Sequence, residues 1–72
     1  MEVVVGGKYR HFKGNEYKVL NIAKCSETLE KLVVYQDLNN EDNIWVRPYD
    51  MFIEKHDNKE YSQEYRFEYI GD

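Results

Sequence analysis

Within four residues the chain sets Trp45, Arg47 and its only proline, Pro48. Tryptophan offers the largest flat apolar face of any side chain, and arginine offers five donors in a rigid planar fork. Proline fixes its own φ and holds the preceding Arg47 extended. A corner of this kind has the chemistry to stack on a flat group and grip an anion beside it. The first third of the chain adds Tyr9, Arg10, His11 and Lys13, and the residues after the proline add Tyr49 and Phe52. Tyr9, His11, Trp45, Tyr49 and Phe52 are therefore candidate stacking faces, with Arg10, Lys13 and Arg47 as donors to an anion or a base edge. Stacking contributes about 1–3 kcal/mol per base and a charge-assisted bond somewhat less, so two or three contacts give micromolar-scale recognition of a nucleotide, a short single strand or a peptide. Packing competes for the same side chains. Eleven aromatics in 72 residues can also fill a core too small to hold enough aliphatics. Arg47 has a structural alternative too: pairing with Glu27 or Glu54 would pin two loops together, and Glu27, inside Ser26-Glu27-Thr28, is the favoured acid.

Other chemistries find less support. Nucleophilic catalysis would rest on Cys25 with His11, which needs thiol and imidazole within hydrogen-bond reach and a third group to orient them. The residue types are present but no local motif joins them, so no enzymatic activity is expected. His11, Cys25 and His56 are the soft metal ligands, and none falls in a C-x₂-C or H-x₃-H spacing, so no metal is expected. Gly6-Gly7 and Gly14 do not form a phosphate loop, because no G-x₄-G-K-[ST] is present. No cofactor is expected.

The residues that must be positioned sit on a chain of 72 residues, one domain near the lower limit of independent folding. A core of this size yields about 3–5 kcal/mol of net stability. One cysteine excludes an internal disulfide and fits a reducing, cytoplasmic setting. No leader or membrane-spanning run is evident, so no membrane partner is expected. The net charge is −4, unevenly spread: residues 1–24 hold Lys8, Arg10, Lys13, Lys18 and Lys24 against Glu2 and Glu16, and the acids dominate afterwards. An acidic whole disfavours non-specific binding to a polyphosphate backbone, while the basic first third leaves room for a local anion site.

The pattern along the chain is that of short strands. Residues 1–6 read as a flexible arm or an edge strand. Lys8–Lys13 and Glu16–Lys24 are strands joined at Gly14-Asn15, a tight hairpin signal. In the second, Tyr17 and Val19 share one parity and Leu20 and Ile22 the other, which predicts a β-bulge near Val19-Leu20. Ser26-Glu27-Thr28 is a turn, Glu30–Leu38 a strand, Asn39–Asn43 a loop. Ile44–Arg47 is a fourth strand, with Ile44 and Val46 expected toward the core and Trp45 and Arg47 on the other side. Pro48–Phe52 suits one helical turn with Pro at its first position. His56–Gln63 is expected to be a mobile polar loop, and Tyr65–Ile70 a last strand with Tyr65, Phe67 and Tyr69 on one face. Five short strands in one small domain point to an all-β, SH3-like five-stranded barrel with a short helical turn after Pro48. An open meander covered by one helix is the alternative.

Several of these segments, taken together, resemble a known family. Tyr9-Arg10-His11-Phe12-Lys13-Gly14-Asn15-Glu16-Tyr17-Lys18-Val19-Leu20 is similar to the opening of the small bacterial domain-of-unknown-function family DUF1653, whose motif runs Y-R-H-Y/F-K-G-x-x-Y-x-V. The likeness continues through Ala23, Ser26-Glu27-Thr28, Glu30 and Val33-Val34-Tyr35. It resumes at Trp45-Val46-Arg47-Pro48, Met51-Phe52 and Arg66-Phe67. Two positions depart from the pattern: Cys25 stands where the family is expected to carry His, and Asn39-Asn40 where it is expected to carry an aromatic-Gly turn. The first departure argues against an essential thiol. The resemblance implies a compact, bacterial, intracellular domain and imports no activity.

The expectation is thus a cytoplasmic binding module, non-enzymatic, using an aromatic-basic surface for a nucleotide, a nucleic-acid segment or a partner peptide. The rival expectation is a protein-interaction or dimerisation module without a small ligand, as a monomer or weak homodimer. Both depend on whether the indole of Trp45 and the guanidinium of Arg47 project together beside the first hairpin.

Overall fold

A computed structural model of the chain describes residues 2–72. Five strands, β1 (Lys8–His11), β2 (Glu16–Lys24), β3 (Lys31–Asp37), β4 (Ile44–Pro48) and β5 (Phe67–Gly71), and one helical turn, α1 (Tyr49–Phe52), follow in chain order. The strands form a single antiparallel sheet in the order β4-β3-β2-β1-β5. The protein is all-β, as the short alternating segments predict. The first four strands are a meander, and the fifth returns beside the first. No ladder joins β4 to β5 among the described residues, so the sheet stays open along that seam instead of closing into a sealed barrel.

Local chemistry accounts for the connections. The β1–β2 hairpin turns at Gly14, whose φ of +109° only glycine adopts freely, and is closed by His11 N–H to Asn15 C=O at 2.8 Å. The β2–β3 ladder slips between Val19 and Asn21, the bulge that the mixed parity of Glu16–Lys24 predicts. On the other edge of β2 the chain ahead of β1 extends the hairpin ladder: Gly6 N–H donates to Val19 C=O at 2.8 Å, and Val19 N–H donates to Gly7 C=O at 2.9 Å. Residues 2–6 add no strand to the sheet; they are tied to it by these bonds and by Val4 N–H to the Tyr9 hydroxyl at 2.8 Å. Gly7 is required by close approach, because a Cβ there would lie 2.8 Å from the Tyr69 ring and 3.0 Å from the Val4 carbonyl. Pro48 closes β4 and precedes α1 as its cap residue, one place earlier than the first helical position.

The core lies on one face of the sheet, beneath α1. Tyr9, Val19, Val33, Tyr35, Phe52 and Phe67 are buried and in mutual contact. Phe52, the last residue of α1, stacks on Phe67 with ring centroids 4.2 Å apart and planes 5° off parallel. Tyr9 and Tyr35 each meet the Phe52 ring edge-on at 5.4 Å. Four aromatics thus form most of the buried core, three of them fully enclosed, so this small sheet is filled by rings. The segment between α1 and β5 has no strand of its own but is anchored: Phe12 stacks on His56 at 3.8 Å, and the Gln63 side-chain amide donates to the Arg10 carbonyl at 3.0 Å. Among the described residues, no helix is long and apolar enough to cross a membrane.

Candidate functional site

The β3–β4 register decides which side chains of the Trp45–Pro48 corner share a face. Val33 lies opposite Arg47, and Tyr35 opposite Trp45. Directly paired residues of an antiparallel ladder point to the same side. Trp45 and Arg47 therefore stand on the inner face with the buried Val33 and Tyr35, and Ile44 and Val46 stand on the outer face. This reverses the assignment expected from the β4 sequence alone. The physical reason is position: β4 is the edge strand, so its inward side chains reach beyond α1 and stay wet. Trp45 keeps 50% of its surface exposed although it is on the core side. Arg47 is half-buried, with its Nε–H directed to the Met51 carbonyl at 3.4 Å.

Arg47 makes no ion pair with Glu27 or Glu54. Glu54 is taken by Arg66 at 3.3 Å, and Glu27 turns back within its own loop to accept from the Ser26 hydroxyl at 3.0 Å. Glu27 sits in the β2–β3 turn, exposed and apart from Trp45, so it leaves the candidate set. The Arg47 guanidinium lies instead beside the Tyr35 hydroxyl, whose pKa burial raises and whose anion this cation partly stabilises.

The remaining expected residues divide clearly. Tyr9 and Phe52 are 0% exposed and belong to the core, so neither offers a stacking face. Tyr49 is half-buried, its hydroxyl accepts from Val3 N–H at 3.0 Å, and its ring carries the Lys31 ammonium 4.1 Å from the centroid. It is a structural pin. Arg10 alternates to the outer face, away from Tyr9 and His11, and pairs across the strands with Glu68 at 2.8 Å. That exposed pair contributes less than about 1 kcal/mol. Lys13 is exposed in the hairpin turn, with its ammonium 5.9 Å from the Phe12 ring centroid.

His11 shares the inner face with Tyr9 at the end of β1, edge-on to Phe67 at 5.1 Å. Lys13 N–H donates to its Nδ1 at 3.1 Å, which leaves the Nε2–H of the neutral ring free to donate outward. Partial burial, then the positive charges of Arg66, Lys13 and Arg47, hold the imidazole pKa below its ordinary value. That Arg47 acts on His11 places both in one electrostatic neighbourhood. A depressed histidine pKa contributes stability that is present above the unfolded value of about 6.5 and is lost as pH falls through the folded value. The urea midpoint should accordingly drop on acidification below about pH 6.5, and more steeply for the wild type than for His11→Asn. Parallel slopes in the two proteins would show that His11 is not the group responsible.

Two sequence-level ideas come apart on the distances along β2. Cys25 follows the end of β2 and His11 precedes its start, so the thiol and imidazole stand at opposite ends of a nine-residue strand and form no dyad. The Cys25 thiol pKa is lowered by hydrogen bonds from Thr28 and from backbone amides of its own turn. Among the described residues no group of three potential metal ligands converges. A shallow depression of about 320 Å³ lies on the Lys55–Glu64 segment, lined by His56, Tyr61 and Gln63. It is formed within one loop and does not include the Trp45–Arg47 corner.

The inner face also holds participants that composition alone does not single out. Tyr17 lies half-buried between Tyr35 and Phe67, edge-on to both at 5.2 and 5.8 Å. It shares a register line with Tyr9, and that pairing was the signal available in the hairpin. Phe12 and His56 form a second stacked pair beside His11, whose ring stacks on Phe12 at 4.4 Å. His56 accepts from Asn58 N–H through Nδ1 at 3.1 Å and bonds the Gln63 carbonyl through Nε2. Both His56 nitrogens are therefore committed to the loop. What remains partly exposed on the inner face is Trp45 and Arg47 on one side and Tyr17 and His11 on the other, with the buried Tyr35 ring between them.

Residues 7–69 match the profile of a family described as "Protein of unknown function (DUF1653)". Comparison with curated proteins and with solved structures found no match.

Proposed function

The chain belongs to the DUF1653 family, and we propose that it is a non-enzymatic binding module whose inner-face strip takes a nucleobase-bearing anion, a nucleotide or a short single-stranded segment. One observation carries this reading: a half-exposed indole and a guanidinium stand two residues apart on the same face, with the imidazole Nε2–H of His11 in the same neighbourhood. The indole supplies a stacking plane for a base, and the guanidinium a fork for phosphate. Stacking on an open strip needs no enclosed cavity, which fits the absence of the corner from the depression on the Lys55–Glu64 segment. The net charge of −4 sets the size of the ligand. Affinity for a long polyphosphate grows with the number of phosphates neutralised, and here one arginine and a few neighbours must act against an acidic body. A mononucleotide or a few nucleotides suit that balance better than a duplex. The unpaired Cys25 is compatible with work in the reducing cytoplasm.

The chain contains a single tryptophan, so its fluorescence reports on this site alone. Titration with nucleoside monophosphates and short oligonucleotides should quench or shift Trp45 emission saturably, with dissociation constants on the order of 10 µM to 1 mM. The free ribonucleosides should bind more weakly, because they lack the group that Arg47 grips. Emission that stays unchanged up to about 10 mM of every nucleotide would remove this reading.

A further inference from the structure

We propose that β4 is a self-pairing edge, through which two copies of this chain join antiparallel about Val46 into one continuous sheet. The inference goes beyond the ligand reading and does not depend on it. β4 is bonded to β3 on one side only, and Ile44, Trp45 and Val46 are 54%, 50% and 61% exposed in succession. Native edge strands are normally blunted by charge, bulge or cover, and this one carries only Arg47 and the terminal Pro48.

The backbone parity of β4 determines how a partner can bind. Asp37 N–H donates to Asn43 C=O at 3.0 Å, so Asn43, and by alternation Trp45 and Arg47, direct their backbone groups toward β3. Ile44 and Val46 direct theirs toward the open edge, while the Pro48 carbonyl, at the N-cap of α1, is turned to the first intrahelically bonded N–H of that helical turn. Pro48, lacking an N–H, thus leaves the β3–β4 ladder intact. With a two-fold axis through Val46, the two Val46 residues exchange both of their backbone bonds, and the backbone groups of Ile44, opposite the capping Pro48 of the second copy, stay with water at the rim.

Side-chain chemistry selects the same register and the same occupant. About that axis Val46 packs against Val46, and Trp45 of each copy lies directly opposite Arg47 of the other. The pairing creates two aromatic–guanidinium contacts from one asymmetric dipeptide spacing. Moving the axis to Arg47 sets two guanidinium groups against each other. Moving it to Trp45 puts Arg47 opposite Asn43 and forfeits both contacts. An arbitrary extended peptide has no reason to present this complement, whereas a second copy always does.

A five-residue edge makes a small interface, so the weight-average mass should rise from 8.7 kDa toward twice that value between about 10 µM and 1 mM in sedimentation equilibrium. Val46 is exposed and on the outer face, so Val46→Lys and Val46→Glu should fold like the wild type, with the same circular dichroism. Each alone brings like charges together on the axis and should remain at 8.7 kDa throughout that range. An equimolar mixture of the two should associate again, because only pairing of residue 46 with residue 46 sets lysine against glutamate. The nucleotide response of Trp45 in Val46→Lys, followed in parallel at low concentration, separates failure here from failure of the ligand reading. A wild type that stays monomeric at 1 mM overturns the proposal; so does a Val46→Lys variant that associates like the wild type, or a mixture that does not associate.

Discussion

Phe52→Ala should leave the chain largely unfolded at 25 °C, with no cooperative urea transition by circular dichroism. Phe52 is fully enclosed, stacked on Phe67 at 4.2 Å and met edge-on by Tyr9 and Tyr35. Truncating a buried phenylalanine to alanine costs about 3–5 kcal/mol through lost transfer energy and the cavity left behind. A domain of this length has a net stability of about 3–5 kcal/mol, so the loss consumes nearly all of it. The effect is large because α1 covers the inner face, with Val3 and Ile53 packed beside it, and Phe52 is the side chain that α1 buries fully. Nothing else can collapse into the space without dragging α1 off the sheet. A variant that retained a cooperative transition and lost less than about 1.5 kcal/mol would show that the core is not centred on this ring.

Arg47→Ala should have the opposite profile: an intact fold and a collapse of ligand binding. The fold loses only a 3.4 Å bond to the Met51 carbonyl and a contact beside the Tyr35 hydroxyl. A charge-assisted hydrogen bond to phosphate is worth about 1.5–3 kcal/mol. Nucleotide affinity should therefore fall about 10- to 150-fold in the Trp45 fluorescence titration. Arg47→Lys should recover part of the loss, since the charge returns without the planar fork. The salt dependence of binding should flatten by about one ion in Arg47→Ala, as expected when one phosphate contact is removed. Equal affinity in wild type and Arg47→Ala would mean that the guanidinium only braces the β4–α1 corner.

Much of the fold was legible because it rests on local chemistry. The Gly14 turn, the bulge after Val19 and the helical turn after Pro48 each follow from a residue whose backbone freedom or parity admits few alternatives. The inner and outer faces of β4 were not legible. In a sequence reading, Ile44 and Val46 are the more aliphatic pair and so are sent to the core. In the structure the β3 register controls the outcome, and an edge strand can leave both sides half wet. The same limit applies to the site. The sequence places Tyr9, Arg10, His11 and Lys13 together, but strand alternation sends Arg10 to Glu68 on the outer face and Tyr9 into the core. Tyr17 and the buried Tyr35, which lie between His11 and Arg47 on the inner face, look like ordinary strand residues until the ladder is known. Phe52 looks like a stacking face until α1 is seen to fold it under. Pairwise contacts between distant segments, such as Phe12 with His56 or Arg66 with Glu54, leave no periodic trace in a sequence at all.

The role assigned to the inner face can be put to a direct test by ¹H–¹⁵N shift mapping of the labelled protein titrated with a nucleoside monophosphate. The Trp45 indole N–H, the Arg47 Nε–H and the amides of His11 and Tyr35 should shift together and saturate at one dissociation constant. The amides of Arg10 and Glu68, on the outer face, and of the Lys55–Glu64 segment should hold still. Shifts confined to that segment or to the outer face, with the indole N–H unmoved, would contradict the account.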